Sequence, residues 1–307
     1  MPPASAHTLK VDVGDHRFTK ALPGHSGAPH SYDGCDIRNS RPSATILLNG
    51  IQTMQTSLVW IGLAATLSTD VVVAQVQFQS GPKQVSLLEL YTSEGCSSCP
   101  AAEEWLTRLR GSASLWKEYA PVAFHVDYWD SLGWKDNWSN ATFTERQRAY
   151  AEAWRSDNIY TPCFVLNGKE WRGWSFRRSV PGSSDDTAGE LAVRSADTNR
   201  WDAEYIPAKL LNTNYELHAA LLAGGLNSDV RAGENKGHRL RHEFVVLNLV
   251  NSPMTGSDKV ARGNFTVNLH HYPSENALAI TVWVTRPGQL QPLQATGGWL
   301  ESAANVR

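Results

Sequence analysis

Glu89-Leu90-Tyr91-Thr92-Ser93-Glu94-Gly95-Cys96-Ser97-Ser98-Cys99-Pro100 is the stretch on which the reading of the fold turns. Val85 to Tyr91, leading into it, is short and mostly apolar, the pattern of a buried strand. Thr92-Ser93-Glu94-Gly95 is turn chemistry. Beyond the cysteines, Ala101, Ala102, Trp105, Leu106 and Leu109 share one helical face, and Glu103, Glu104, Thr107 and Arg108 share the other. Pro100 suits a first helical turn, where N–H groups lack intrahelical partners anyway. Two cysteines at Cys-x-x-C spacing therefore fall between a strand and the start of a helix. The unpaired N–H groups and positive dipole end of such a terminus stabilise a thiolate. Cys96 is the expected nucleophile. Cys99, about one turn deeper, is the expected resolving thiol.

Working outward, Pro121 to Asp127 reads as a second strand, followed by a loop carrying Tyr128, Trp129, Trp134 and Trp138. Thr142-Phe143-Thr144-Glu145 has capping-box spacing and predicts a helix from about Thr142 to Ser156. Ile159 to Leu166 reads as a strand, Asn167-Gly168 as a hairpin turn, and Lys169 to Trp174 as the returning strand. From about Gly189 the helical pattern stops. Gly189–Ser195, Trp201–Ile206, Tyr215–Ala223, Arg241–Val250, Asn264–His271 and Ala277–Thr285 alternate as short strands, separated by Asn, Gly, Ser and Pro clusters. That predicts a β-rich, sandwich-like lobe, and it carries no catalytic motif.

The first quarter reads differently. Ser43 to Thr69 holds no Lys, Arg, Asp or Glu, and Ser57 to Leu67 is its apolar heart. This is about the length of a secretory core and short for a membrane span. Val72-Val73-Ala74 supplies small residues for cleavage after Ala74, and Met54 offers an alternative start. The expected organisation is a disordered leader or false extension over 1–53 and a signal peptide over 54–74. A redox domain over 83–180 and the β-rich lobe over 186–301 follow. The expected location is periplasmic or secreted. Net charge is −2 with no basic block, which argues against nucleic acid as a partner. Membrane contact is expected only through an uncleaved signal segment. Four cysteines in 307 residues do not make a disulfide scaffold.

The order strand, Cys-x-x-C, helix, strand, helix, Thr-Pro strand and Asn-Gly hairpin resembles the thioredoxin fold. Glu89 to Pro100, Phe124-His125-Val126-Asp127-Tyr128-Trp129-Asp130, Gly133-Trp134-Lys135-Asp136, Phe143-Thr144-Glu145-Arg146-Gln147 and Tyr160-Thr161-Pro162 resemble a bacterial secreted family catalogued as domain of unknown function 1223. The resemblance extends from about Val85 to Leu300. It implies an α/β, thioredoxin-like domain followed by the β-rich lobe. It also implies a cis Thr161–Pro162 bond facing the cysteines. Cys163 is a departure from the family pattern.

The function expected on this reading is thiol–disulfide exchange by Cys96 and Cys99, with protein or small thiol and disulfide substrates and no cofactor. Pro162 would leave the site open to an extended backbone. Glu89, a carboxylate amid apolar residues, is a candidate proton donor to Cys99, or else a salt-bridged structural residue. Thr161, Cys163, His125, Asp127 and Trp129 are neighbours of the site, each with a plain packing or loop-fixing alternative. No metal-ligand set is assigned. The rival readings are a static disulfide, a non-catalytic scaffold, or a copper(I) site built from the thiolates with His125 or Cys163.

Overall fold

The computed structural model describes residues 77–300, apart from 178, 183–186, 198, 210–213, 258 and 270–276, together with the backbone of residues 7 and 8. The leader and signal segment expected over 1–74 lie outside the described residues, as does the far end of the strand expected over Asn264–His271.

The strand leading to the cysteines is β2, Ser86–Thr92, and all seven of its residues are buried. β1 is Gln77–Gln79. β3, Tyr119–His125, runs parallel to β2, with Ser86 opposite Tyr119. β4 is Tyr160–Thr161, and β5, Cys163–Leu166, pairs antiparallel with β2 on its other side. β6, Lys169–Glu170, closes the Asn167-Gly168 hairpin, whose two residues have positive φ of 50° and 80°. Two α-helices accompany these strands: α1, Cys99–Thr107, and α2, Ala141–Ala153. The α2 cap is Asn140, whose Oδ1 accepts the Thr142 N–H at 2.9 Å, so the helix starts ahead of the expected Thr142 box.

The second half supplies β7 (Gly189–Ser195), β8 (Arg200–Pro207), β9 (Tyr215–Gly224), β10 (Leu226–Asp229) and β11 (Arg239–His242). It continues with β12 (Val245–Ser257), β13 (Val260–Thr266), β14 (Ala277–Thr285) and β15 (Gln294–Trp299). The expected strand Arg241–Val250 is thus two strands broken at Phe244, which has φ of 60°. β10 and β15 were not expected. β10 and β11 form a separate hairpin.

The α/β, thioredoxin-like class expected from the first half is overturned. The protein is β-rich and is organised on one mixed twelve-stranded sheet, in the order β1-β7-β8-β13-β12-β3-β2-β5-β6, with β9, β14 and β15 branching from β12. The physical cause is the outer edge of β3. In a free-standing α/β sheet that edge would carry unpaired backbone groups. Here Val245 pairs in parallel with Ala123, whose N–H donates to the Phe244 carbonyl at 2.8 Å. β12 then passes the ladder on, pairing with β9 through its first ten residues and with β13 through its last three.

Side chains on β9 and β14 alternate between two cores, as the two-residue period requires. Ala220, Leu222, Ala279 and Trp283 join the core of the first half, with Leu88, Leu90, Phe124 and Phe164. Leu217, Ala219, Leu221, Ile280 and Val282 join a second core with Leu191, Trp201, Tyr205 and Phe265. The side chains of β2 divide in the same manner. Thr92 bonds to Glu103 on α1, while Glu89 bonds to Arg146 and Tyr150 on α2. The cysteines and α1 therefore lie on one side of β2, and Glu89 on the other.

Candidate functional site

Cys96 ends a turn in which its N–H donates to the Ser93 carbonyl at 3.2 Å, and the Cys99 N–H donates to the Cys96 carbonyl at 3.2 Å. These two turns bring the Cα atoms of Cys96 and Cys99 to 5.4 Å, and the pair is joined as a disulfide. α1 begins at Cys99, with Ser98 as its cap, so Cys96 precedes the helix rather than opening it. Both cysteines are buried. The loop between β10 and β11 lies over them. Asn235 Nδ2 donates to the carbonyls of Glu94 at 2.8 Å and Cys96 at 2.9 Å, and Glu234 Oε2 accepts the Ser97 N–H at 2.9 Å. Sequence reasoning missed both residues, because the loop is 139 residues away from Cys96 and carries no motif.

The Thr161–Pro162 peptide is cis. Thr161 Oγ1 accepts the Trp129 indole N–H at 2.8 Å, and Trp129 packs beside Gly95, where an added Cβ would lie 3.0 Å from its own Cβ. Trp129 therefore links the cysteine turn to the proline segment. Cys163 is the free thiol among the described residues, buried, and burial pushes it up to about 12. Asp127 pins the start of α2: its backbone N–H donates to Thr144 Oγ1 at 3.1 Å and its carboxylate accepts the same hydroxyl. Glu89 is enclosed by Arg146 Nε at 2.8 Å, the Tyr91 hydroxyl at 2.9 Å and the Tyr150 hydroxyl. Its oxygens are saturated on the α2 side, which favours the salt-bridged alternative weighed for it.

The densest chemistry lies beside the cysteines, and only one member, His125, was singled out from sequence. Its Nδ1 sits 2.6 Å from Asp136 Oδ2. Asp136 also accepts the N–H groups of Glu94 and Trp138, each at 2.9 Å. His242 stands between two carboxylates, with Nδ1 on Glu103 Oε2 and Nε2 3.2 Å from Glu94 Oε1. Glu94 Oε2 accepts the Trp134 indole N–H at 2.7 Å, and Glu103 Oε1 accepts the Thr92 hydroxyl at 2.7 Å. All five ionisable groups are buried.

Burial opposes charge on His125, His242, Glu103 and Asp136, yet their mutual pairing outweighs it. Beside Glu103 and Glu94, His242 is pushed up to about 10. Beside Asp136 and Glu103, His125 is raised. The imidazoles in turn hold the Glu103 and Asp136 carboxyls below their ordinary range. Glu103 was expected on the solvent face of α1. A signal for its burial existed, since Cys99, Ala102, Glu103 and Leu106 fall at i, i+3, i+4 and i+7.

The family model described as protein of unknown function (DUF1223) matches residues 87–285. No curated protein matches the chain. Two solved structures share its fold. Protein AGR_C_4864 from Agrobacterium tumefaciens is 20% identical with a TM-score of 0.50, over 72% of this chain and 96% of that one. HBP35 of Porphyromonas gingivalis is 14% identical with a TM-score of 0.50, over 74% of this chain and 77% of that one. At these identities the likeness is one of fold alone.

Proposed function

The chain belongs to the DUF1223 family of proteins of unknown function, and from its own geometry we propose that it exchanges disulfides through Cys96 and Cys99. The observation that carries the reading is a disulfide between residues three apart, at the junction of a buried strand and a helix, under a loop held by three hydrogen bonds. In the reduced protein the Cys96 thiolate attacks a client disulfide. A Cys96–client bond forms and one client thiolate leaves. Cys99 then attacks the Cys96 sulfur, restoring the Cys96–Cys99 bond and releasing the second client thiol. Two electrons and two protons pass from protein to client, and the reverse sequence oxidises a client dithiol. Because Cys96 is buried, attack follows displacement of the Asn235 loop.

Export is part of the same proposal. It is supported by the apolar segment Ser57–Leu67 and the small residues before Gln75. Cleavage there leaves β1, Gln77–Gln79, intact. No helix among the described residues is long and apolar enough to cross a membrane.

The test is a trap. In Cys99→Ala the mixed disulfide lacks its resolving thiol, so clients are expected to remain attached to Cys96 on non-reducing electrophoresis. Cys96→Ala is expected to trap far less. Absence of adducts from both variants, with folding intact, would falsify the exchange reading in favour of a static disulfide.

A further inference from the structure

We infer that Glu103, His125 and His242 form a binding site for a borderline divalent cation of the zinc class, buried beside the Cys96–Cys99 disulfide and independent of it. One ligand atom from each residue lies within 4.8 Å of the other two. The independent observation is His125 Nε2, which is buried and has no hydrogen-bond partner. An unpaired buried nitrogen is costly and calls for an occupant. Its ring cannot turn to find another partner, because Asp136 holds Nδ1 at 2.6 Å and is itself held by two backbone N–H groups. A carboxylate that fixes one imidazole nitrogen and leaves the other free is the arrangement that orients histidine ligands.

The remaining geometry agrees. The His125 and His242 ring centroids are 5.2 Å apart, and Trp138 packs edge-on to both, at 5.6 Å and 4.8 Å, walling the site from solvent. His242 Nε2 and Glu94 Oε1 lie 3.2 Å apart without an aligned hydrogen bond, so both also stand unsatisfied. Glu94 Oε1 thus stands as a further oxygen beside the site. Two imidazoles and one carboxylate suit zinc and its neighbours, not copper(I), which favours thiolates. A tetrahedral ion at about 2.0–2.1 Å from each atom holds its ligands roughly 3.4 Å apart. On loading, the widest separation in the triad therefore closes by at most about 1.4 Å, while the hydrogen-bonded Glu103–His242 pair opens. The metal displaces the proton shared between His242 and Glu103.

The test uses the full chain with Cys96 and Cys99 oxidised, which removes their thiolates as ligands. Zn²⁺ and Co²⁺ are titrated calorimetrically, and the Co²⁺ spectrum is recorded. One ion per chain is expected, with d–d absorption and no thiolate charge-transfer band. His242→Gln is expected to abolish tight binding, and Asp136→Asn to weaken it about 10–100-fold. Should either variant fail to fold, ¹⁵N spectra of the wild-type imidazoles decide, and the His125 Nε2 resonance is expected to move on Zn²⁺ addition. No uptake by the wild type, uptake undiminished in folded His242→Gln, a thiolate band, or an unmoved His125 Nε2 resonance overturns the site.

Discussion

Cys96, Cys99 and Cys163 are chemically the same side chain, and their surroundings give them different work. Cys163 lies in β5 opposite Tyr91 and is buried, with its thiol pushed up to about 12 by that burial. A free thiol in an unfolded chain ionises near ~8.5. Above that pH the unfolded state loses its Cys163 proton while the native state keeps it. Native stability is therefore expected to fall as pH rises from ~8.5 toward 12, by at most about 1.4 kcal/mol per unit. Urea denaturation at pH 8.5 and 10 checks this, and Cys163→Ala should flatten the slope. An equal slope in both proteins would assign the loss to other groups. Among the site residues, Cys96 and Cys99 were legible because their spacing between a strand and a helix is itself the signal. Glu94, Glu103, Asp136 and His242 were not. A Glu in a helix reads as solvated until a partner 139 residues away is known, and only the fold brings His242 to Glu103.

Most elements were legible from local pattern. Gly189–Ser195 and Ala277–Thr285 have the bounds their alternation implied, and Asn167-Gly168 forms the turn its two residues favour. The β10–β11 hairpin was not, because Leu226–Asp229 is short and only Ser228 and Leu226 turn from solvent. Yet the loop of this hairpin is hydrogen-bonded over the cysteine turn. Asn235 anchors its loop through two bonds from one amide. Asn235→Ala removes both, and a lost buried hydrogen bond costs about 1–3 kcal/mol. If the loop must lift before a reductant reaches Cys96, the variant's disulfide is expected to be reduced about tenfold faster by a small dithiol. Mass spectrometry after rapid alkylation reads that rate. An unchanged rate would mean that the disulfide is reached by another route.

At the scale of the whole molecule, what sequence could not reveal was the edge of β3. Strand-pairing partners 122 residues apart leave no local signal, so the first half read as a self-contained α/β unit. In the folded chain β12 pairs along the edge of β3, and Phe244, Val246 and Trp283 fill the same core as Leu88 and Phe164. A fragment of residues 77–182 is accordingly expected to lack cooperative unfolding, with β3 exposed as an unpaired edge. A sharp urea transition in that fragment would contradict the shared core. Disulfide exchange by the assembled molecule is tested most directly by the reduction potential of Cys96–Cys99. The full chain is equilibrated in glutathione buffers, quenched by alkylation and weighed. Structural disulfides in secreted proteins typically lie below about −300 mV and resist glutathione. An exchanger is expected to titrate reversibly at a potential above that value. A Cys96–Cys99 bond that stays closed across the whole glutathione range would contradict it.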